Sequence, residues 1–483
     1  MSSDRTERRD FLRITGAGIA GAALQPHSAE AQTVSAFSGS GICDVKLFGA
    51  KGDGKTIDTP AINRAIEAAV AAGGGMVRFP AGQYLWYSIR LKSNIALYLD
   101  QNAAIIAADP TSSGSDGYDL AEPISSWDPY QDFGHNHWHN SLFWGGGLEN
   151  LSIHGPGLIW GRGLSGGWGP GPVAEHAGVA NKAVSLKNCH NVILRDFSIL
   201  KGGHFGILAT GVDSLTIDNL KIDTDRDGID IDCCRNVRVS NCSVNSPWDD
   251  AICPKSSYAL GYARSTENVT ITNCYVTGAY KLGTLLDGTF QRFEPGSKVY
   301  GNGRIKFGTE SNGGFRNITI SNCVFEGCYG LALETVDGAL LEDISIANIT
   351  MRDIVCPIFM RLGSRMRSPA GVATGALRRI LISNFVCSNA DSRFSSILPG
   401  HPIEDIQLSD IYIQHQGGGT AATAAIQPPE VEDKYPEPNM FGDMPSQGFF
   451  IRHAKNISFS NVEILSLKED TPAGLHSPGR SGR

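Results

Sequence analysis

The sequence predicts an all-β chain wound as a parallel β-helix, a solenoid whose N-terminal end is capped by one amphipathic helix. Three observations predict it. From about residue 148 a short pattern recurs, an Asn or Asp followed by alternating aliphatic residues and closed by another Asn or Asp. Its spacing stays near the low twenties: Val192 to Leu215 is 23 positions, Leu215 to Val237 is 22, and Ile318 to Ile344 is 26. The composition, with 57 glycines among 483 residues and modest charge, suits short strands joined by tight turns. A period of this size signals coils whose equivalent strands stack at roughly 4.8 Å. Leucine is neither frequent nor at fixed offsets, which excludes leucine-rich repeats. A β-sandwich would explain the alternation but not the recurring Asn.

The chain begins with Arg8-Arg9-Asp10-Phe11-Leu12-Arg13, an apolar Gly/Ala-rich stretch and Ala29-Glu30-Ala31. Residues 1–31 therefore read as a twin-arginine export signal, too short to span a bilayer, and place the protein in the periplasm or outside the cell. Residues 45–54 read as a short strand and a glycine-rich turn. Residues 59–72 read as a helix, with Thr59 as its cap, Pro60 in its first turn, and Ile62, Ile66 and Val70 as its apolar stripe. Gly73-Gly74-Gly75 ends it, and no Gly-Lys-Ser/Thr follows to make a phosphate cradle. Val77 to Phe79 is a strand. The repeat then passes through Asn150, Asn191, Ser214, Asn236, Asn268, Asn317, Asp343, Arg379, Asp405 and Asn456. Asn at such a turn can adopt the left-handed conformation and hydrogen-bond its equivalent one coil away. Two stretches lie outside the pattern, an insertion at residues 281–300 and an excursion at 417–445. The expected organisation is one β-helix domain over residues 44–467 and a polar tail over 468–483.

A formal net charge of -8 argues against nucleic acid or anionic membrane as a partner. No segment after the signal is apolar enough to cross a membrane, and a monomer is expected. The 11 cysteines include no Cys-x-x-Cys pair at zinc spacing. Cys189, Cys242, Cys274 and Cys323 each follow an Asn at what reads as one repeat position, which favours a buried ladder of small apolar side chains. One or two disulfides are left open.

The chemistry centres on Asp227, in Asp225-Arg226-Asp227-Gly228-Ile229-Asp230, and on Asp249 and Asp250, in Trp248-Asp249-Asp250-Ala251. Asp227 and Asp249 are 22 positions apart, one coil, so the three carboxylates should crowd one patch. Like charges held close raise one group's proton affinity, leaving an acid beside a base. Cleavage of a glycosidic bond needs that pair. Asp223 and Asp232 read instead as solvated surface. His204, one coil before Asp227, is a candidate to line the cleft, and Glu310 and Asp337 are candidates to face it. His135, His137 and His139 alternate around Trp138 as if on one strand face. Aromatic contact with a sugar is the reading preferred there over a metal site.

These segments resemble the polygalacturonase-like glycoside hydrolases of family 28, pectin-degrading right-handed β-helices, from about Phe48 to Ile464. The resemblance rests on Phe48-Gly49-Ala50-Lys51-Gly52-Asp53-Gly54, on Gly73-Gly74-Gly75-Met76-Val77-Arg78-Phe79-Pro80, and on Leu91-Lys92-Ser93-Asn94. The family's Asn-Thr-Asp-Gly-Ile-Asp is matched by residues 225–230, and its Gly-Asp-Asp-Cys by residues 248–251, followed by Lys255-Ser256. The resemblance implies Asp249 as general acid, Asp227 and Asp250 as holders of the attacking water, inversion at the anomeric carbon, and no metal or organic cofactor. Typical inverting spacing, about 6.5–9.5 Å between carboxyls, would require the side chains to splay.

The departures concern the substrate. The family's Gly-His-Gly has no counterpart; Asn302-Gly303-Arg304-Ile305-Lys306 stands there instead. Arg304 and Lys306 look like the family's carboxylate-gripping Arg-Ile-Lys but fall one coil early, and the proper place carries Ala332 and Glu334. With Glu334 replacing a cation, plain polygalacturonate is disfavoured, and a rhamnose-containing, branched or neutral glycan is expected. His204, Lys255, Lys281, Arg304, Lys306, Glu310 and Glu334 are the expected substrate-binding residues. The reading is thus an exported inverting glycoside hydrolase of pectic or related plant polysaccharide. A polysaccharide lyase on the same scaffold and a non-catalytic carbohydrate-binding β-helix are the alternatives.

Overall fold

Equivalent aliphatic positions stack directly on one another along the solenoid. Val192 pairs with Leu215, Leu215 with Val237, Val237 with Val269, Val269 with Ile318, and Ile318 with Ile344. The structure is a computed structural model and describes residues 41–110, 117–132, 134–167, 176–294, 296–398 and 401–470. The segment read as an export signal and nearly all of the expected polar tail lie outside the described residues. The strands form a right-handed parallel β-helix in two hydrogen-bonded sheets, one of 21 strands and one of 11. The larger sheet folds over two faces. These merge in the later coils, where single strands such as Phe315–Glu326 and Ile403–Gly417 run through both. The smaller sheet runs from Ile89–Arg90 to Phe449–Ile451 and carries the candidate site.

Alternation puts Leu215 and Ile217 inside and their neighbours outside, and the inward residues of successive coils make one continuous core. The corners are held by left-handed Asn residues. Asn191, Asn236, Asn268 and Asn317 have φ between 54° and 58°. Their amides bond coil to coil, Asn191 to Asn150 at 2.8 Å, Asn268 to Asn236 at 3.1 Å and Asn317 to Asn268 at 2.6 Å. Ser214, Asp343, Arg379 and Asp405 adopt the same conformation where the pattern departs from Asn.

Several local expectations are corrected. Val45–Phe48 is a 3-10 turn, flanked by the strands Ile42–Asp44 and Asp53–Ile57. The N-cap position of the helix Thr59–Ala71 is Asp58 rather than Thr59, and its side chain makes no capping bond. Asp58 spends its carboxylate on the glycine turn, accepting from the Lys51 and Gly52 amides at 2.7 and 3.0 Å. Ile62 and Ile66 are buried with Ala61, Ala65 and Ala69, whereas Val70 faces solvent. The small alanines let the helix lie close against the first strands. Cys242, Cys274 and Cys323 do form one ladder. Cys189 does not belong to it, because it precedes His190 and stacks at another corner with Val212 and Cys234. All 11 cysteines are buried and stand outside any disulfide. Asp223 and Asp232 are fully buried rather than solvated. Asp223 anchors the 281–300 insertion by accepting from the Gly283 and Leu285 amides, and Asp232 accepts from the Ser257 amide and hydroxyl. No described helix is long and apolar enough to cross a membrane.

Candidate active site

Five consecutive rungs of the smaller sheet build the site: Phe205–Thr210, Asp227–Asp232, Ile252–Lys255, Ile305–Phe307 and Gly330–Thr335. Asp227 opens its strand, and Asp249 and Asp250 occupy the turn just before the next rung. The Ser246 hydroxyl contacts the Arg226 and Asp249 carbonyl oxygens at 2.6 and 2.9 Å, and the Trp248 amide donates to the Asp225 carbonyl at 3.1 Å. These bonds tie the aspartate turn to the coil below, and the Asp250 amide donates to the Asp227 carboxylate at 3.2 Å. One carboxylate oxygen each from Asp227, Asp249 and Asp250 lies within 4.8 Å of the other two. The side chains converge and do not splay.

Their electrostatic settings differ. Burial, reinforced by the charges of Asp230 and Asp249, pushes the Asp227 carboxyl well above the ordinary range. Burial would also raise Asp250, but Arg304 and Lys306 outweigh it and hold that carboxyl at about 2. Arg304 Nε donates to Asp250 at 2.7 Å and Lys306 Nζ lies 3.2 Å from it. Asp249 is clasped by Arg226, whose Nε and Nη2 donate to one carboxylate oxygen at 3.1 and 2.9 Å. Arg226 stands where the family motif has Thr. The proton affinity is thus raised on Asp227.

Lys255 forms a second centre beside Asp227. Its ammonium lies 3.3 Å from Asp230, 3.7 Å from both Asp227 and Glu310, and 2.8 Å from His135 Nε2. Burial opposes its charge, but these acids, Asp230 foremost, keep it protonated far above neutrality. Burial likewise opposes the Glu310 carboxylate, yet His135 and Lys255 hold it well below the usual range. His204 is buried with its ring stacked 4.1 Å from Phe205, and burial and the Arg226 charge keep it neutral. The three histidines of residues 134–141 share no strand face. His135 joins Lys255, His137 turns to Asp128 at 3.6 Å, and His139 lies against Trp144 with ring centroids 3.9 Å apart. Asp337 is a buried partner of Arg365.

Arg304 and Lys306 lie at the rung stacked on Ile252–Lys255, one coil after the aspartate turn, and Lys306 pairs with Ala332, so Ala332 and Glu334 occupy the following rung. Both cations are buried. The 417–445 excursion returns across them: Arg304 donates to both Glu437 oxygens at 2.9 and 2.5 Å, and Lys306 donates to the Tyr435 hydroxyl at 2.8 Å. Burial raises the Glu334 carboxyl to about 8 despite Lys306 and Arg304 nearby. Lys281 pairs with Glu294 at 3.0 Å within its own insertion.

Among the described residues two groups have spacing fit for a metal: His135 with Asp227 and Asp230, and Asp227 with Asp249 and Asp250. The first surrounds the Lys255 ammonium, and the second is matched by Arg226, Arg304 and Lys306. Resident side-chain cations already balance both.

Sequence reasoning passed over Asp230, Arg226, Asp132, Tyr435 and Glu437. Asp230 and Arg226 were visible inside the 225–230 motif itself. Asp132 supplies its amide to Glu310 at 3.1 Å from a loop without pattern, and Glu437 reaches Arg304 across 133 positions. Periodicity cannot register such contacts.

Residues 42–283 match the family described as rhamnogalacturonase A/epimerase, pectate lyase-like. A probable polygalacturonase of Vitis vinifera is 22% identical over 334 residues, 65% of this chain and 61% of that protein. The chain therefore spans less than two thirds of that relative's length. Alginate lyase 7 of Azotobacter vinelandii is 42% identical over 85 residues, 18% of this chain and 9% of that enzyme. The exopolygalacturonase structure from Thermotoga maritima shares the fold, with a TM-score of 0.59 at 19% identity over 77% of this chain and 87% of that one. Because the match covers residues 42–283 as one block, half of the 483-residue chain, the chain belongs to the rhamnogalacturonase A/epimerase, pectate lyase-like family.

Proposed function

We propose that the protein is a glycoside hydrolase cleaving glycosidic bonds in pectic or related plant polysaccharide. The convergence of three aspartates from neighbouring coils is the observation that carries this reading. Asp249 is the general acid. It is the most exposed of the three, with 20% of its side chain accessible against 4% for Asp227 and 2% for Asp250. A sugar entering the cleft draws Arg226 away, the buried Asp227 carboxyl passes its proton to Asp249, and Asp249 delivers that proton to the leaving oxygen. Asp227 and Asp250 hold the attacking water, and Asp250, kept ionised by Arg304 and Lys306, receives its proton. Attack opposite the leaving group inverts the anomeric carbon. The carboxylate oxygens stand closer than the spacing common in inverting enzymes, so product stereochemistry belongs to the test. The reading assigns no metal or organic cofactor.

The substrate is a glycan other than plain polygalacturonate, with a rhamnose-containing, branched or neutral backbone. Burial of Arg304 and Lys306 behind Tyr435 and Glu437, beside a largely protonated Glu334, supports this, because those cations are already matched. The excursion also walls one end of the cleft, which supports exo attack. Delivery to the periplasm or beyond is part of the reading and is supported by Arg8-Arg9 and the segment that follows.

The test is a panel of pectic oligosaccharides, followed by reducing ends, by ultraviolet absorbance and by NMR of the first product anomer. New reducing ends with no unsaturated product are expected. Asp249→Asn should lower kcat by about 10²–10⁴-fold while binding persists. An ultraviolet-absorbing product would replace this reading with a lyase, and binding without turnover in the parent protein would replace it with a carbohydrate-binding β-helix.

A further inference from the structure

Lys255 ends the strand Ile252–Lys255, and its buried ammonium meets groups from three other segments of the chain. An ammonium has three N–H donors and accepts nothing. One donor reaches His135 Nε2 at 2.8 Å, and a second faces Asp230 at 3.3 Å. The third is shared between Asp227 and Glu310, both at 3.7 Å. With 5% of the residue exposed and every donor engaged, Lys255 has nothing left to offer a sugar.

His135 holds that ammonium as a neutral ring. Its Nδ1 lies 3.1 Å from the Asp132 carbonyl oxygen, which only accepts, so Nδ1 carries the proton and Nε2 accepts from Lys255. Burial and Lys255 oppose a charge on the ring, and Glu310 and Asp230 pull its proton affinity upward against them. A charged ring would aim an N–H at the ammonium 2.8 Å away, so the contact itself requires the neutral tautomer. The Asp230 carboxylate is fully buried, and its charged contacts are the ammonium at 3.3 Å and the His135 ring at 3.6 Å. Glu310 accepts from the Asp132 amide with one oxygen at 3.1 Å and turns the other to Lys255. His135 and Asp230 thus fix the ammonium, while Asp227 and Glu310 stand at equal distance from its remaining donor.

We propose that Lys255 is a positioning residue for the proton supply: its shared donor turns from Glu310 to Asp227 when Asp227 passes its proton to Asp249, and so stabilises the carboxylate left behind. The proposal rests on reading the aspartates as a glycosidase site and deepens it. The proton balance closes over one turnover. The Asp227 proton goes to Asp249 and then to the leaving oxygen. The proton of the attacking water goes to Asp250, which Arg304 and Lys306 keep from retaining it, and returns to Asp227 across less than 4.8 Å. Asp227 also faces Asp230 on its own strand, Asp249 with Arg226, Asp250 with Arg304 and Lys306, and His135. Lys255 and Glu310 can be altered while all of these stay in place.

The experiment is a pH titration of the full chain by NMR with isotope-labelled aspartate, the Asp227 signal being identified by its loss in Asp227→Asn. Lys255→Met keeps the stem and removes the charge, so Asp227 should titrate at a pH about 1–3 higher. Glu310→Gln keeps an acceptor for the Asp132 amide and frees the shared donor, so Asp227 should titrate at a lower pH than in the parent. On the pectic oligosaccharide that the parent cleaves fastest, the alkaline limb of kcat/KM should move in the same two directions. Lys255→Met should also lose about tenfold or more in kcat with KM held within about twofold. Displacement in opposite directions is a result that a merely structural role would not give. An Asp227 titration that stays in place, or moves the same way in both variants, overturns the proposal, as does a KM that rises with kcat unchanged. Should Lys255→Met lose its cooperative melting transition, Glu310→Gln decides alone. A parent that cleaves none of the oligosaccharides removes the hydrolase reading, and the NMR titration still decides whether Lys255 governs Asp227.

Discussion

Asp250 is ionised in a place where burial favours the neutral acid, and two cations make the difference. Arg304→Gln removes the cation bonded to Asp250 and leaves Lys306, at 3.2 Å, and the more distant Lys255. The Asp250 carboxyl should then titrate above its present value of about 2, and the acid limb of kcat/KM should move to higher pH. A profile unchanged on the acid side would show that Asp250 is not the group receiving the water's proton. Glu334 has the opposite setting. Its folded carboxyl titrates near 8, against 4.5 for the free side chain. Between those values the folded chain keeps a proton that the unfolded chain has released, so stability falls as pH rises through that window and the loss is complete above it. Glu334→Gln should remove this term, and its melting temperature should change less between pH 5 and 8 than the parent's.

The corner ladders show why short, low-charge strands stay in register. Asn268 has a φ of 58°, donates to Asn236 at 3.1 Å and accepts from Asn317 at 2.6 Å. Asn268→Ala forfeits both bonds and strains an L-residue in the left-handed region, a combined cost of about 2 kcal/mol. Asn268→Gly should recover the conformational part alone and fall between the two in urea unfolding. The same physics made these elements legible from the residues: one side chain both permits the turn and binds its copy. The helix was legible in position but not in detail. Asp58 takes the N-cap position without a capping bond, while Thr59 accepts from the Tyr87 amide at 3.1 Å, and Val70 is exposed because Ala69 packs inward instead.

In a solenoid each coil touches only its neighbours, so damage should stay local. Ile62, on the inner face of the helix, is fully buried against the first strands. Ile62→Ala should cost about 2–5 kcal/mol. Faster amide exchange should appear first in Ile42–Asp44 and Gly75–Phe79, before the coil at Ile318 responds. Uniform loosening along the chain would contradict this nearest-neighbour picture. The excursion at 417–445 works against locality, since Tyr435 and Glu437 join the last coils to the centre of the site.

Coil spacing, the all-β winding and the meeting of Asp227 with Asp249 and Asp250 follow from local pattern, because stacking at a fixed period turns positions 22 apart into neighbours. The ionisation of that trio does not. It depends on Arg226, Lys255, Arg304 and Lys306 and on which acids each of them meets, and those meetings depend on how insertions fold back over the coils. Charge matching acts through space at a few ångströms, whereas periodicity records only distance along the chain.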